Sequence, residues 1–350
     1  MNKGQFGFGI VGAGIISDIH ATAIKAIPNA VLMGVYTPNK LKSQAFADKH
    51  NCNSFDSLEA LIADAAIDIV CICTPSGIHL DPAIKCIEGG KHCVIEKPLE
   101  VTLERCDAII EAADKAGVKT AVIFPSRFYE ASQQLKKAID AKRFGDLVLG
   151  DAYVKWSRSE AYYQSAAWRG TWKLDGGGAL MNQGIHSVDL LQWYMGDVAS
   201  VQSVMTNVKH KTIEVEDTVV STLHFSNGAL GVIQCSTAVF PGALKRIEIM
   251  GTTGTAILEE SNLIKWQFKN ELDADKAINN EMSAPGVSHG GVSNPADINF
   301  YGHQKQLEDM ILSIQENKKP MIDARDGRKS VAIVLAIYES ARTGKKIQLK

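Results

Sequence analysis

No apolar run in this chain approaches the roughly 20 residues that a membrane-spanning helix needs. A membrane protein of that kind is not expected. Charge of one sign is lacking too. A net charge of −2 over 350 residues leaves no broad basic field, so nucleic acid is not an expected partner. The seven cysteines include no Cys-x-x-Cys pair. An odd, unpatterned set fits reduced thiols in a cytoplasm better than a disulfide framework. The nine histidines are dispersed without paired ligand spacing, so no metal site is expected. A signal peptide is not expected either. Met1-Asn2-Lys3-Gly4-Gln5 enters an apolar strand almost at once, and that strand lacks a small-residue cleavage pattern. Internal repeats and low-complexity tracts are missing as well.

What is present reads as two domains, the natural expectation for this length. Residues 5–11, 30–36, 67–73, 92–95 and 119–124 are strand-like. Helical patterns stand between them at about 17–27, 40–49, 58–63, 82–88 and 102–116. Thr102 is the expected N-cap and Gly117 the stop of the last of these. Such alternation predicts an α/β domain, a doubly wound parallel sheet over 1–124. Beyond Phe124-Pro125 the pattern changes. Helices are expected at 128–141 and 179–195. Strands at 147–158, 198–207, 217–225, 229–236, 245–250, 255–258 and 263–268 follow with few helices, and two helices close the chain at about 298–316 and 326–342. Residues 125–350 are thus expected to form an α+β domain with an open, mostly antiparallel sheet. Residues 271–297 read as a long surface loop.

Gly12-x-Gly14-x-x-Ser17 joins the first strand to the first helix. Gly12 permits the tight turn. Gly14 lets backbone approach a pyrophosphate, which the helix start, Ile15 and Ile16, then attracts. Ser17 stands where the dinucleotide fingerprint has Gly or Ala. At the end of the second strand, Thr37 replaces the acid that usually binds the ribose. With no carboxylate to repel a 2′-phosphate, and with Asn39 and Lys40 close by, either NAD or NADP is expected, leaning to NADP.

Thr74-Pro75-Ser76-x-x-His79 follows the third strand-like run, at the same predicted sheet edge. Glu96-Lys97-Pro98 follows the next strand. With these three segments in this order, and Gly176-Gly-Gly-Ala-Leu-Met-Asn-Gln-Gly-Ile-His186 further on, the chain resembles the Gfo/Idh/MocA family of sugar and cyclitol oxidoreductases. The resemblance covers the whole chain. It implies a Rossmann domain followed by an open-sheet domain, with substrate bound between them. It also implies that Lys97 contacts the reacting hydroxyl and the cofactor, and that His186 is the catalytic histidine. Thr74, Pro75, His79 and Glu96 are the expected cofactor contacts around Lys97.

Asn182, His186 and Asp189 are spaced i, i+4 and i+7 and would share one face of a regular helix. A histidine with its usual pKa of roughly 6.5 takes up a proton near neutrality. Many family members have Asp where this chain has Asn182, and Asn is no general base. Its expected role is hydrogen bonding to a hydroxyl. Aromatic and basic residues crowd the stretch before the glycine triplet. Arg158, Tyr163, Trp168 and Arg169, with Arg127 nearer the boundary, are the expected substrate contacts. Flat rings and forked guanidinium donors suit sugars, above all those carrying phosphate or carboxylate. His303 is expected to be structural.

These readings predict an NAD(P)-dependent dehydrogenase acting on a CH–OH group of a sugar, sugar derivative or cyclitol. A dehydrogenase of a nucleotide-linked sugar and a non-catalytic dinucleotide sensor are the rivals. An uncovered sheet face predicts a homodimer or homotetramer.

Overall fold

The computed structural model describes residues 4–282 and 299–349. The chain forms two compact units, Met1–Pro125 with Asn299–Val331, and Ser126–Ile298 with Ala332–Lys350. The sequence reading placed the division at 124/125. It did not foresee that residues 299–331 return to the first unit.

The first unit alternates β1 (Phe6–Val11), α1 (Ile15–Lys25), β2 (Ala30–Tyr36), α2 (Lys40–His50), β3 (Asn53–Ser54), α3 (Leu58–Ala63), β4 (Ile69–Ile72), α4 (Leu80–Glu88), β5 (His92–Ile95), α5 (Leu103–Ala116) and β6 (Thr120–Val122). The strands pair in the order β3-β2-β1-β4-β5-β6, every pair parallel. All four residues of β4 are buried, as a strand covered on both faces requires. The Thr102 hydroxyl caps α5 by accepting the Arg105 backbone N–H at 3.3 Å, and Gly117 stops it at φ 66°.

In the second unit, α6 (Glu130–Asp140) precedes β7 (Leu147–Lys155). The short α7 (Glu160–Gln164) and α8 (Ile185–Met195) follow. Then come β8 (Val198–Thr206), β9 (Thr218–Phe225), β10 (Leu230–Ser236), β11 (Arg246–Gly251), β12 (Gly254–Glu259) and β13 (Asn262–Phe268). Within the stretch expected to be loop lies a helix, α9 (Asp273–Met282). Asp275 anchors it: both carboxylate oxygens accept from Arg143 at 2.7 Å, and one also accepts the Trp266 indole N–H at 2.7 Å. Residues 283–298 of the expected loop lie outside the described residues. Helix α10 (Tyr301–Gln315) belongs to the first unit. Helix α11 (Ala324–Thr343) starts in the first unit and ends in the second, and β14 (Ile347–Gln348) closes the chain.

The second sheet runs β13-β12-β11-β7-β10-β9-β8-β14. Its pairs are antiparallel except β7–β10. Helix α8 packs against β7 and β11. Burial alternates residue by residue along β9, the mark of a sheet with one covered face. Val204 and Val220 stand exposed on the other face.

The helix expected over 179–195 is regular only from Ile185. Ala179–Gly184 is a π-turn, so Asn182 and His186 do not stand at simple α-helical spacing.

Candidate active site

In the first unit, strand register sets the edge. Val11 pairs with Tyr36 and Ile72, Ile72 with Ile95, and Ile95 with Val122. Gly12, Thr37, Cys73 and Glu96 therefore emerge side by side at the carboxyl ends. The chain reverses its direction across the sheet between β1 and β4, the place where open α/β sheets bind ligands.

The glycine turn fits a dinucleotide. Gly12 has φ 107°, and a Cβ there would stand 2.6 Å from the Cys73 carbonyl oxygen, so a larger residue is excluded. A Cβ on Gly14 would meet no atom within 4 Å, which leaves room for an approaching phosphate at the start of α1. Ile15 beside it is 60% exposed. Ile16 instead packs on the core. Ser17, the departure from the fingerprint, is fully buried, and its hydroxyl accepts the Gly14 N–H at 3.2 Å. The hydroxymethyl group is thus absorbed as a brace of the turn.

Other expected cofactor contacts are placed differently. Asn39 caps α2 by accepting the Lys42 N–H at 3.0 Å. Lys40 extends into solvent, 3.0 Å from Asp56. His79 is buried. Its Nδ1 lies 2.9 Å from the Pro98 carbonyl and its Nε2 3.0 Å from the Thr74 carbonyl. It ties the Thr74-Pro75 loop to the segment after Lys97 and is a brace rather than a surface contact.

Lys97 is the one residue from Cys93 to Glu100 that keeps partial exposure. Glu96 beneath it is buried. Its Oε2 accepts the Lys97 backbone N–H at 3.2 Å, and its Oε1 lies 2.9 Å from His20 Nε2 and 3.7 Å from His303 Nε2. Burial opposes charge on Glu96, but the hydrogen bonds from His20 and His303 outweigh it and hold the carboxyl well below its usual range. Burial also opposes charge on His20. The Cys73 and Cys71 sulfurs outweigh that and keep it well above the usual histidine value. Burial drives His303 the other way, below the usual value, and repulsion from His20 and Lys97 adds to it against the pull of Glu96. The ligand atoms of these three residues all lie within 4.8 Å of one another, a grouping that sequence spacing did not reveal. The legible trace was His20 itself, which shares the buried stripe of α1 with Ser17, Ala21 and Ile24.

The second unit presents its polar groups in the same manner. From Asp175 to Gln192, every residue is buried except Asn182 and His186. The Asn182 amide donates to Asp175 Oδ1 at 2.6 Å, and Asp175 Oδ2 accepts the Gly170 N–H at 2.9 Å. A Cβ on Gly178 would stand 1.7 Å from the Glu216 carbonyl oxygen, so the glycine triplet is required for this close approach. The Glu216 carboxylate accepts the Gly178 and Leu180 N–H groups, each at 2.8 Å, and the Tyr338 hydroxyl at 3.0 Å. Burial pushes its pKa up to about 7 despite these donors. Sequence reading missed Asp175, Glu216 and Tyr338, which act only through contacts made in the fold.

Two expected substrate contacts are structural. The Arg127 guanidinium is 2% exposed and donates to both oxygens of Asp189, at 2.6 and 2.7 Å. Asp189 is therefore the buried counter-ion of Arg127 rather than a surface pair. Tyr163 is buried with its hydroxyl 2.8 Å from Thr237. The others form one stack. The Arg158 guanidinium lies over Trp156 and Tyr162, at 4.9 and 5.4 Å from the ring centres, and Arg169 lies over Tyr162 and Trp168, at 4.4 and 4.6 Å. Arg169 also donates to the Tyr162 hydroxyl at 2.7 Å, and Gln183 donates to it at 2.9 Å. Burial, with repulsion from Arg169, lowers the proton affinity of Arg158.

A parallel sheet with open space beside Gly14 at its switch point, in a chain whose second unit bears a partly exposed histidine, has the frame of a dinucleotide-binding oxidoreductase. Residues 6–124 match the oxidoreductase family with an NAD-binding Rossmann fold, and residues 132–257 match the GFO/IDH/MocA C-terminal domain. The WlbA dehydrogenase of Bordetella pertussis, solved in complex with NADH and UDP-GlcNAcA, is 33% identical over 99% of both chains, with a TM-score of 0.87. The D-glucoside 3-dehydrogenase of Escherichia coli is 26% identical, covering 97% of this chain and 96% of its own. The myo-inositol 2-dehydrogenase of Thermotoga maritima is 24% identical over 98% of each. The chain belongs to the Gfo/Idh/MocA family and is an NAD-binding oxidoreductase. No helix among the described residues is long and apolar enough to cross a membrane.

Proposed function

We propose that this enzyme oxidises a ring hydroxyl of a nucleotide-linked sugar acid, with Lys97 and His186 as its catalytic residues. The observation that carries the assignment of residues is their exposure: each is a polar opening in an otherwise buried run. The bound dinucleotide supplies the hydride acceptor. As the carbon gives up hydride, His186 accepts the hydroxyl proton and Lys97 donates a hydrogen bond to the same oxygen, offsetting its developing charge. Asn182, held by Asp175, orients the hydroxyl.

Two observations support an acidic, nucleotide-linked substrate over a free sugar or a cyclitol. The relative solved with UDP-GlcNAcA is 33% identical, against 26% and 24% for the glucoside and inositol enzymes. The Arg158–Tyr162–Arg169 stack sets two guanidinium groups around one ring, and Arg169 donates there to the Ser165 and Tyr162 hydroxyls. Such a pair suits a carboxylate or phosphate. For the cofactor, NAD is favoured over NADP, against the lean drawn from sequence. Lys40 is engaged with Asp56, and the same relative holds NADH.

A thermal-shift panel tests both choices. NAD with a UDP-linked uronic acid raises the melting temperature by several degrees more than NAD with glucose, myo-inositol or the neutral UDP-sugar. Equal shifts for all four would overturn the substrate assignment, and a larger shift with NADP alone would overturn the cofactor assignment. We also place the enzyme in the cytoplasm, where its free thiols would persist. The exposed sheet face bearing Val204 and Val220 supports a homo-oligomer, and a monomer by light scattering at micromolar concentration would refute that.

A further inference from the structure

A helical turn leaves the N–H groups at its start without partners inside it. In the π-turn that carries Asn182, those of Gly178, Ala179, Leu180 and Met181 all find acceptors on two residues from elsewhere in the second unit. Glu216 stands just ahead of β9, and Tyr338 lies on α11. The Glu216 carboxylate accepts from Gly178 and Leu180, each at 2.8 Å, and its backbone carbonyl accepts from Ala179 at 3.1 Å. The Tyr338 hydroxyl accepts from Met181 at 3.2 Å and shares the Gly178 N–H at 3.3 Å, while it donates to Glu216 Oε1 at 3.0 Å. We infer that Glu216 and Tyr338 are positioning residues for Asn182 and His186, fixing the start of the turn that presents them. The inference rests on those two side chains meeting the reacting hydroxyl.

Bonding inside the turn begins at Asn182, whose N–H donates to the Gly178 carbonyl at 3.0 Å. Whatever holds Gly178 therefore sets the height and rotation of Asn182, and His186 follows at the start of α8. Beyond that point α8 is held by other means, its packing against β7 and β11, so loss of the clamp is local. The clamp has little play. Glu216 and Tyr338 are both buried, and a Cβ on Gly177 would stand 2.2 Å from the Tyr338 hydroxyl. That hydroxyl has its hydrogen and both lone pairs in use. Each substitution therefore has a definite consequence. Glu216→Gln brings an amide donor to a place crowded with donors. Tyr338→Phe removes the acceptor of the Met181 N–H and one donor to Glu216.

The test reads the turn and the histidine directly, in the full chain. Amide hydrogen exchange by mass spectrometry should quicken about tenfold over residues 178–181 in both variants, and by less than about threefold over 187–195. Diethyl pyrocarbonate, which acylates imidazole, should modify His186 about fivefold faster in each, because a loosened turn opens more often. The double variant should go little beyond the larger single effect, since the two residues act as one clamp. Exchange that quickens equally along the whole of α8 would show a merely structural role and overturn the inference, as would an unchanged His186 rate. Should Glu216→Gln fail to fold, Tyr338→Phe, which loses one hydroxyl, carries the test alone. With NAD and a UDP-linked uronic acid, Tyr338→Phe lowers kcat about tenfold and leaves the KM for NAD within about twofold. A kcat equal to wild type alongside a faster-reacting His186 would overturn the positioning role. The catalytic reading fails separately, if His186→Gln keeps its turnover.

Discussion

Lys97→Met lowers kcat by about two to four orders of magnitude while NAD affinity changes less than about threefold. Methionine keeps the length and apolar stem of lysine and removes only the donor. The surrounding frame should be indifferent to the exchange, because the backbone of residue 97 is held by the Glu96 carboxylate, and His79 grips the carbonyl of Pro98. Any loss in turnover is then assignable to the ammonium group. His186→Gln should fall comparably, and the double variant by much less than the product of the two, because groups that serve the one proposed step are not additive. Steady-state kinetics with a saturating dinucleotide, alongside calorimetric titration of NAD, gives both quantities. A Lys97→Met enzyme within about threefold of wild-type kcat would end the catalytic assignment.

Asp189→Ala has the largest expected effect on stability, about 3–5 kcal/mol. The carboxylate is fully buried and accepts two hydrogen bonds from a guanidinium that is itself 2% exposed. Deleting it leaves a positive charge inside the second unit, with the Trp193 ring 5.2 Å away as a weak substitute. Replacing both partners with apolar residues, as in Arg127→Met/Asp189→Leu, should recover much of the loss, because neither desolvated charge remains. All five tryptophans lie in the second unit, so their fluorescence in a urea titration follows that unit without interference from the first. A midpoint for Asp189→Ala that matches wild type would show that the pair contributes nothing net.

The first unit was legible because local chemistry and global fold agree in it. Strands β2 and β5 and helix α3 occupy the residues their patterns indicated, since turn residues and caps bound them on both sides. The carboxyl-edge placement of Gly12, Thr37 and Lys97 followed from that alternation alone. Three things were not legible, each for its own reason. An amphipathic helix does not announce which sheet it will cover, so α10 was assigned to the wrong unit. A π-turn has no strong sequence mark, so Asn182 and His186 were given helical spacing they lack. Arginines were read as substrate contacts by residue type. Only the partners met in the fold separate Arg127, closed on Asp189, from Arg158 and Arg169, stacked on aromatic rings, and residue type does not announce them.

Helix α10 also bears on the order in which the protein is made. Its Leu307, Met310 and Ile311 belong to the same buried cluster as Phe8, Ile10 and Ile24, from the first strand and helix of the chain. Domains ordinarily fold in turn as they leave the ribosome, amino-terminal ones first. This unit cannot close that way. Its β-α-β frame emerges early but keeps one side of its core uncovered until residues 301–315 have been synthesised. The β-α-β frame must therefore wait for a helix made well after it, and a nascent chain stalled in between presents an apolar surface to whatever chaperone stands at the exit.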